Sequence, residues 1–225
     1  MKKIILLSVI IPVMYIHPQV REIESRSYFK QGDVEFNFST NIGVGFSTSN
    51  VFNTIQNFSP YDSSYNEYSY NYSDRPFNLL FTASIGYCII DGLTIEPELD
   101  INLITDTETS ISLIGNLTYN FSIPKKNTYP FIKLGYGLSN YYSDRYYYGY
   151  QNESGGNSLD TRVFNAGAGL KFLYSSGMAL KLEINFKNYN YSKSSSFTNE
   201  YSQSTYKIDN DMNVISLSLG FSILL

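Results

Sequence analysis

Residues 93–103 read LTIEPELDINL. Leu93, Ile95, Leu99, Ile101 and Leu103 fall on every second position, with Pro97 in the same row. Glu96, Glu98 and Asp100 fill the positions between. A period of two is the strand period, so the three carboxylates share one face and the aliphatic side chains share the other. Asp91-Gly92, just upstream, is a tight hairpin signal. Three carboxylates on one face can serve as a metal site, as an acid/base pair, or as the inward face of a sheet, and the rest of the chain decides among these.

The same alternation recurs along the chain. DVEFNFSTNIGVGF (33–46) sets Val34, Phe36, Phe38, Ile42, Val44 and Phe46 against Glu35, Asn37, Ser39, Asn41, Gly43 and Gly45. FNLLFTASIGYCII (77–90), SISLIGNLTYNFSI (110–123), PFIKLGYGL (130–138), RVFNAGAGLKFLY (162–174), ALKLEINFKNY (179–189) and NVISLSLGFSILL (213–225) repeat it. With the opening stretch these make eight strands, and no segment carries a helical period of useful length. The links alternate too. IIDG, PKKNTYP and SSGM are short, whereas 48–75, 140–160 and 192–208 are long and polar, with TDTET the one short member of the long set. Short turns on one side and long loops on the other predict an eight-stranded antiparallel up-and-down transmembrane barrel.

Alternation alone fits either a membrane barrel or a soluble, lipocalin-like barrel with its apolar face around a ligand. Three features favour apolar-out. The polar face is rich in small residues (Gly43, Gly45, Gly86, Gly135, Gly137, Gly167, Gly169, Gly220), which suit a narrow lumen filled by side chains. Phe36, Tyr87, Tyr119, Phe121, Phe172 and Phe221 sit near turn ends of the apolar face, where an interfacial girdle belongs. The chain also starts on a signal-like segment and ends on a strand. MKKIILLSVIIPVMYIHPQ (1–19) has a basic start and an apolar stretch, Ile4 to Ile16, too short for a transmembrane helix; it reads as a secretory signal peptide. Residues 20–32 follow as an N-terminal tail, and 33–225 as the barrel, placed in the outer membrane.

GLTIEPEL (92–99), YPFIKLGYGL (129–138), FNAGAGLKF (164–172), GMALKLEINF (177–186) and SLSLGFSILL (216–225) resemble the outer-membrane β-barrel domain family of OmpA/OmpX-type, porin-family-like eight-stranded proteins. The resemblance covers roughly 33 to 225 and describes architecture more than activity. It implies outer-membrane lipid and the barrel-insertion machinery as partners. The family's last strand usually ends on an aromatic residue, whereas this chain ends on Leu225, with Phe221 the nearest aromatic.

The 225 residues suit one domain, or two at most. Charged residues are only 16% and the net charge is -4, which leaves no electrostatic case for nucleic acid. Cys88 is the sole cysteine and cannot form an internal disulfide. His17 is the sole histidine and lies in the signal segment, so the mature barrel has no imidazole base and no Ser-His pair, and no enzyme is expected. A Glu96/Glu98 glycosidase pair would need an accessible sugar, which a packed lumen does not admit. DNDMN (209–213) opens like a calcium loop but lacks its Gly and terminal Glu, and no phosphate-cradling loop is present, so no metal or cofactor is expected.

The inward-facing charges are Glu35, Glu96, Glu98, Asp100, Lys133, Lys171, Lys181, Glu183 and Lys187: five acids against four lysines. Unpaired buried charge is costly, so these predict an ion-pair network across the lumen that plugs it. Pro97, on the lipid face, forfeits a ladder hydrogen bond, a loss that a bulge near the turn would limit. In the long loops, Tyr61, Tyr65, Tyr68, Tyr70 and Tyr72, and then Tyr141, Tyr142, Tyr146, Tyr147, Tyr148 and Tyr150, interleave with Ser and Asn. Such composition suits recognition of an extracellular protein or glycan. Alternate Tyr also suits strands that continue beyond the bilayer, and that reading is the favoured one. The expected function is a small outer-membrane barrel with a structural or surface-interaction role; the alternative is a narrow or gated passage for small solutes.

Overall fold

The computed structural model describes residues 28–59, 62–75, 77–104, 109–123, 127–140, 159–175, 177–198 and 202–225. Nine strands follow in chain order: β1 (Val34–Ser59), β2 (Asp62–Asp74), β3 (Phe77–Ile90), β4 (Leu93–Ile104), β5 (Ser110–Asn120), β6 (Thr128–Ser139), β7 (Thr161–Ser175), β8 (Met178–Thr198) and β9 (Ser202–Leu224). β2 pairs with the far half of β1, from Ser47↔Asp74 to Ser59↔Asp62. β3 pairs with the near half, from Val34↔Tyr87 to Val44↔Phe77. The two are thus successive lengths of one stave. β1 also pairs with β9, which closes the sheet into an eight-staved antiparallel barrel.

The stagger of the barrel follows from its register. From Phe38, hydrogen-bonded partners lead through Ala83, Leu99, Leu113, Leu138, Arg162, Asn190 and Asp211 back to β1 at Thr48, ten residues beyond the start (38 to 48). An even stagger preserves each residue's face on closure, so the two rows of every strand stay on opposite sides of the wall. A barrel of eight strands is just wide enough for side chains to fill it, with strands tilted ~35–45°.

The outward row is apolar and exposed, and the inward row is polar and buried. Ile95, Leu99, Ile101 and Leu103 are exposed, while Glu96, Glu98, Asp100 and Asn102 are buried. The ten steps from Leu93 to Leu103, at ~3.3 Å each and ~40° tilt, span about 25 Å, the height of a transmembrane barrel's apolar band. Tyr87, Tyr119, Phe121, Phe172 and Tyr174 are exposed near the short turns, as an interfacial girdle requires. A soluble barrel around an apolar ligand is excluded, because its apolar row would face inward.

Several expectations change. Residues 48–75 and 192–208 were expected as long loops. Instead, β1 runs to Ser59 and β2 begins at Asp62, while β8 runs to Thr198 and β9 begins at Ser202. The period-two pattern continues through both segments, so ladder pairing extends as far as Asn57↔Ser202. β2, β1, β9 and β8 together make a four-stranded wall beyond the ends of the other staves. The third long link, 141–158, lies outside the described residues, as do the signal segment and Tyr61. Pro97 causes no bulge. The β3–β4 ladder omits the rungs between Ser84↔Glu98 and Tyr87↔Ile95 and resumes in the same register; the register shift lies between Cys88 and Ile90. Pro97 still pairs with Gly115 on its other side.

One inward pair shows how tightly the wall is fitted. Phe131 lies opposite Gly169 across β6 and β7, and its ring lies over the glycine. A Cβ at Gly169 would stand 2.1 Å from the Leu182 carbonyl oxygen and 2.8 Å from the Phe131 ring. Gly169→Ala is therefore expected to destabilise the barrel by ~1–3 kcal/mol, the usual effect of overpacking, read as a lower urea midpoint for protein folded in detergent.

Candidate functional site

The lumen is layered. At the short-turn end, Tyr28, Phe29, Cys88, Tyr129, Leu173, Ala179 and Leu224 form a buried apolar cluster. Toward the long-hairpin end, Ile114, Val163, Tyr189, Tyr191, Met212 and Val214 form a second. The nine charged residues Glu35, Glu96, Glu98, Asp100, Lys133, Lys171, Lys181, Glu183 and Lys187 also face inward, and none is more than 3% exposed.

Glu98 is the hub. Its Oε2 accepts from Lys133 Nζ at 3.0 Å and Asn116 Nδ2 at 3.0 Å, and its Oε1 from Lys187 Nζ at 2.9 Å. Lys187 also donates to Asp100, whose other oxygen accepts from Thr82 at 2.6 Å. Lys133 continues to Glu183 at 2.8 Å, and Lys181 reaches the second oxygen of Glu183 at 2.7 Å. Lys171 pairs with Glu35 at 2.7 Å. β4 has no lysine on its direct partners' inward rows, so its carboxylates reach across to β6 and β8.

Glu96 departs from the expectation of ion pairing. Its hydrogen bonds come from neutral donors: Asn37 Nδ2 at 3.0 Å, Thr118 Oγ1 at 2.8 Å, and Ser84 Oγ. Three short donors from β1, β5 and β3 replace a cation, which is an accepted way of holding a buried carboxylate. Lys171 and Lys181 meanwhile lie 5.1 and 5.2 Å from the Phe131 ring centroid, so cation–π contacts join the charged layer to the aromatic floor.

The floor includes a segment that sequence reasoning left in the tail. Residues 28–32 fold under the barrel. Phe29 takes a left-handed φ of 61° and Gly32 one of 94°, which turns the chain back on itself. Gly92 N–H donates to the Phe29 carbonyl at 2.8 Å, and Gly32 N–H to the Cys88 carbonyl at 2.8 Å. The Phe29 ring meets Tyr129 edge-on at 5.1 Å and lies 4.7 Å from Lys171 Nζ. Outside, Lys30 Nζ pairs with Asp91 at 2.8 Å, and Gln31 N–H donates to the same carboxylate. The sequence signal was the Tyr28-Phe29 pair ahead of the first alternating run.

The tyrosines proposed for recognition fall into three groups. Tyr65 and Tyr68 stand exposed in β2, and Tyr70 and Tyr72 occupy the same strand, paired with Val51 and Ser49. They belong to a strand that continues beyond the apolar band and not to a loop. Tyr61, Tyr141, Tyr142, Tyr146, Tyr147, Tyr148 and Tyr150 lie outside the described residues. Among the described residues no group of His, Cys, Asp or Glu is arranged to hold a metal ion.

Two outcomes are expected. Lys187→Met leaves Glu98 and Asp100 sharing buried negative charge with one cation fewer, and should lower stability by ~3–5 kcal/mol in urea titrations of detergent-folded protein. The pH test concerns the exposed clasp. The hydrogen bond from Lys30, then that from the Gln31 N–H, holds the Asp91 carboxyl below its usual range. A carboxyl with a depressed folded pKa stabilises the fold above its unfolded value and loses that contribution as pH falls through the folded one. Lys30→Gln should thus speed amide exchange in residues 28–32 at neutral pH, with the difference from wild type vanishing in acid.

No protein-family model matches the chain, and comparison with curated proteins finds no match. Among solved structures, it is similar to Neisserial surface protein A (13% identity, 79% of this chain and 96% of that one, TM-score 0.41). It is also similar to the N-terminal β-barrel domain of Pseudomonas aeruginosa OprF (15% identity, 80% and 97%, TM-score 0.39). A third is the outer membrane protein OprG from Pseudomonas aeruginosa (12% identity, 87% and 97%, TM-score 0.36).

Proposed function

We propose that this chain is a small integral outer-membrane protein, exported by its N-terminal signal, whose barrel is a closed structural body that carries an interaction wall on the cell surface. The observation that carries the reading is the layered lumen: a charged layer shut between two apolar clusters. A conducting path needs continuous water, and two apolar constrictions in series oppose it. The ion pairs act as the plug in this reading. The role is non-catalytic. Lipid surrounds the apolar band, and the insertion machinery delivers the barrel. The wall formed by β2, β1, β9 and β8, with exposed Tyr65 and Tyr68, meets an extracellular protein or glycan.

A gated passage for small solutes is the second reading. The oxygens Asn41 Oδ1, Asn102 Oδ1, Asn165 Oδ1 and Asn185 Oδ1 are buried with no partner among the described residues, and a hydrated path would satisfy them. Planar-bilayer recordings separate the two. The plugged barrel should give no steady conductance steps at neutral pH; reproducible unitary steps from the purified protein would reject it in favour of the passage.

A further inference from the structure

The short-turn rim carries a further feature, built partly from the aromatic floor of the lumen. Tyr28, Phe29, Tyr119 and Tyr129 line a pocket of about 150 Å³ together with Asn120, Lys30 and Asp91. Asn120 is 2% exposed, and its Oδ1 has no partner among the described residues. Its Nδ2 is occupied with the Gly92 carbonyl and Thr94 Oγ1, so the free atom is an acceptor that calls for a donor. The Tyr28, Tyr119 and Tyr129 rings in the same lining favour a cation, whereas the Phe29 ring already meets Lys171 Nζ. At the same rim, Lys30 Nζ is about half exposed beside Asp91, which gives the pocket mouth a positive and a negative group 2.8 Å apart. Tyr119 is also a girdle residue, 40% exposed and edge-on to the lipid-facing Phe121 at 4.8 Å. Tyr119 thus sets the outer edge of the pocket at headgroup level.

We infer that this pocket binds the zwitterionic headgroup of an aminoethyl phospholipid from the periplasmic leaflet. The primary ammonium enters the aromatic walls and donates to Asn120 Oδ1, while Asp91 supplies the countercharge. The phosphate stays at the mouth on Lys30. The Lys30–Asp91 pair thus lies head to tail with the headgroup's own charges. The volume admits an aminoethyl group but no acyl chain. The inference rests on the barrel's being a membrane protein.

The test uses the full mature chain in detergent micelles, offered phosphatidylethanolamine, phosphatidylglycerol and phosphatidylcholine of equal chain length. Retained lipid is read by native mass spectrometry. Phosphatidylethanolamine should be retained about tenfold over phosphatidylglycerol, which has no ammonium, a difference worth ~1.4 kcal/mol. It should also exceed phosphatidylcholine, whose methylated nitrogen cannot donate to Asn120. Asn120→Leu should abolish the preference. Lys30→Gln, which removes the phosphate contact common to all three lipids, should lower the retention of each severalfold without abolishing the preference. Equal retention of the three lipids, or total retention unchanged in Lys30→Gln, would overturn the inference. Insertion of the same protein into lipid vesicles is scored separately, so failure of the pocket and failure of the membrane reading give different results.

Discussion

Closure of the β1–β9 seam at a stagger of ten residues governs the rest of the molecule. It makes the lumen so narrow that every inward side chain meets others from across it. Each buried polar group there must find a partner or remain unpaired at a cost. Lipid imposes the reverse demand outside, where backbone groups can be satisfied only along the ladders. The result is an inverted protein, with Ile, Leu and Phe exposed and Glu, Lys and Asn at its centre.

Buried ion pairs are weak sources of stability, since an apolar replacement of both partners can be neutral or better. Their value here lies in specifying register. A slip of one residue in any stave exchanges its two rows. For β8 that would move Lys181, Glu183 and Lys187 into lipid, at ~2–4 kcal/mol for each lysine near the midplane. It would also take Lys187 from Glu98 and Asp100, and Lys133 from Glu183. The charged layer therefore makes the misregistered barrels much worse than the native one, whatever it adds to the native one itself.

The barrel was legible because period-two alternation is a local signal, and each stave repeats it. The inward charges were legible for the same reason, since face follows from parity once one strand is oriented. Parity does not say which inward groups touch. Glu96 differs from Glu98 only by two positions, yet one is held by Asn37, Ser84 and Thr118 and the other by two lysines, a matter of stagger and rotamer. Polar composition hid the far halves of β1 and β9, because Ser, Thr and Asn runs read as loop although they keep the strand period. The floor built by residues 28–32 was hidden because a single irregular turn, made by left-handed Phe29 and Gly32, has no period to detect.

The seam from Glu35↔Leu224 to Asn57↔Ser202 joins the first strand of the chain to its last and is the longest ladder in the sheet. Every other ladder joins staves that are neighbours along the chain, so those pairings lose less chain entropy on forming. The seam instead brings together residues almost the whole chain apart, and it gives nothing until the stagger of the entire sheet is right. Its length supplies that late step with the most rungs. Assembly is thereby made close to all-or-none: an open sheet lacks its largest pairing, and a partly zipped one has no competing register of comparable length in which to rest.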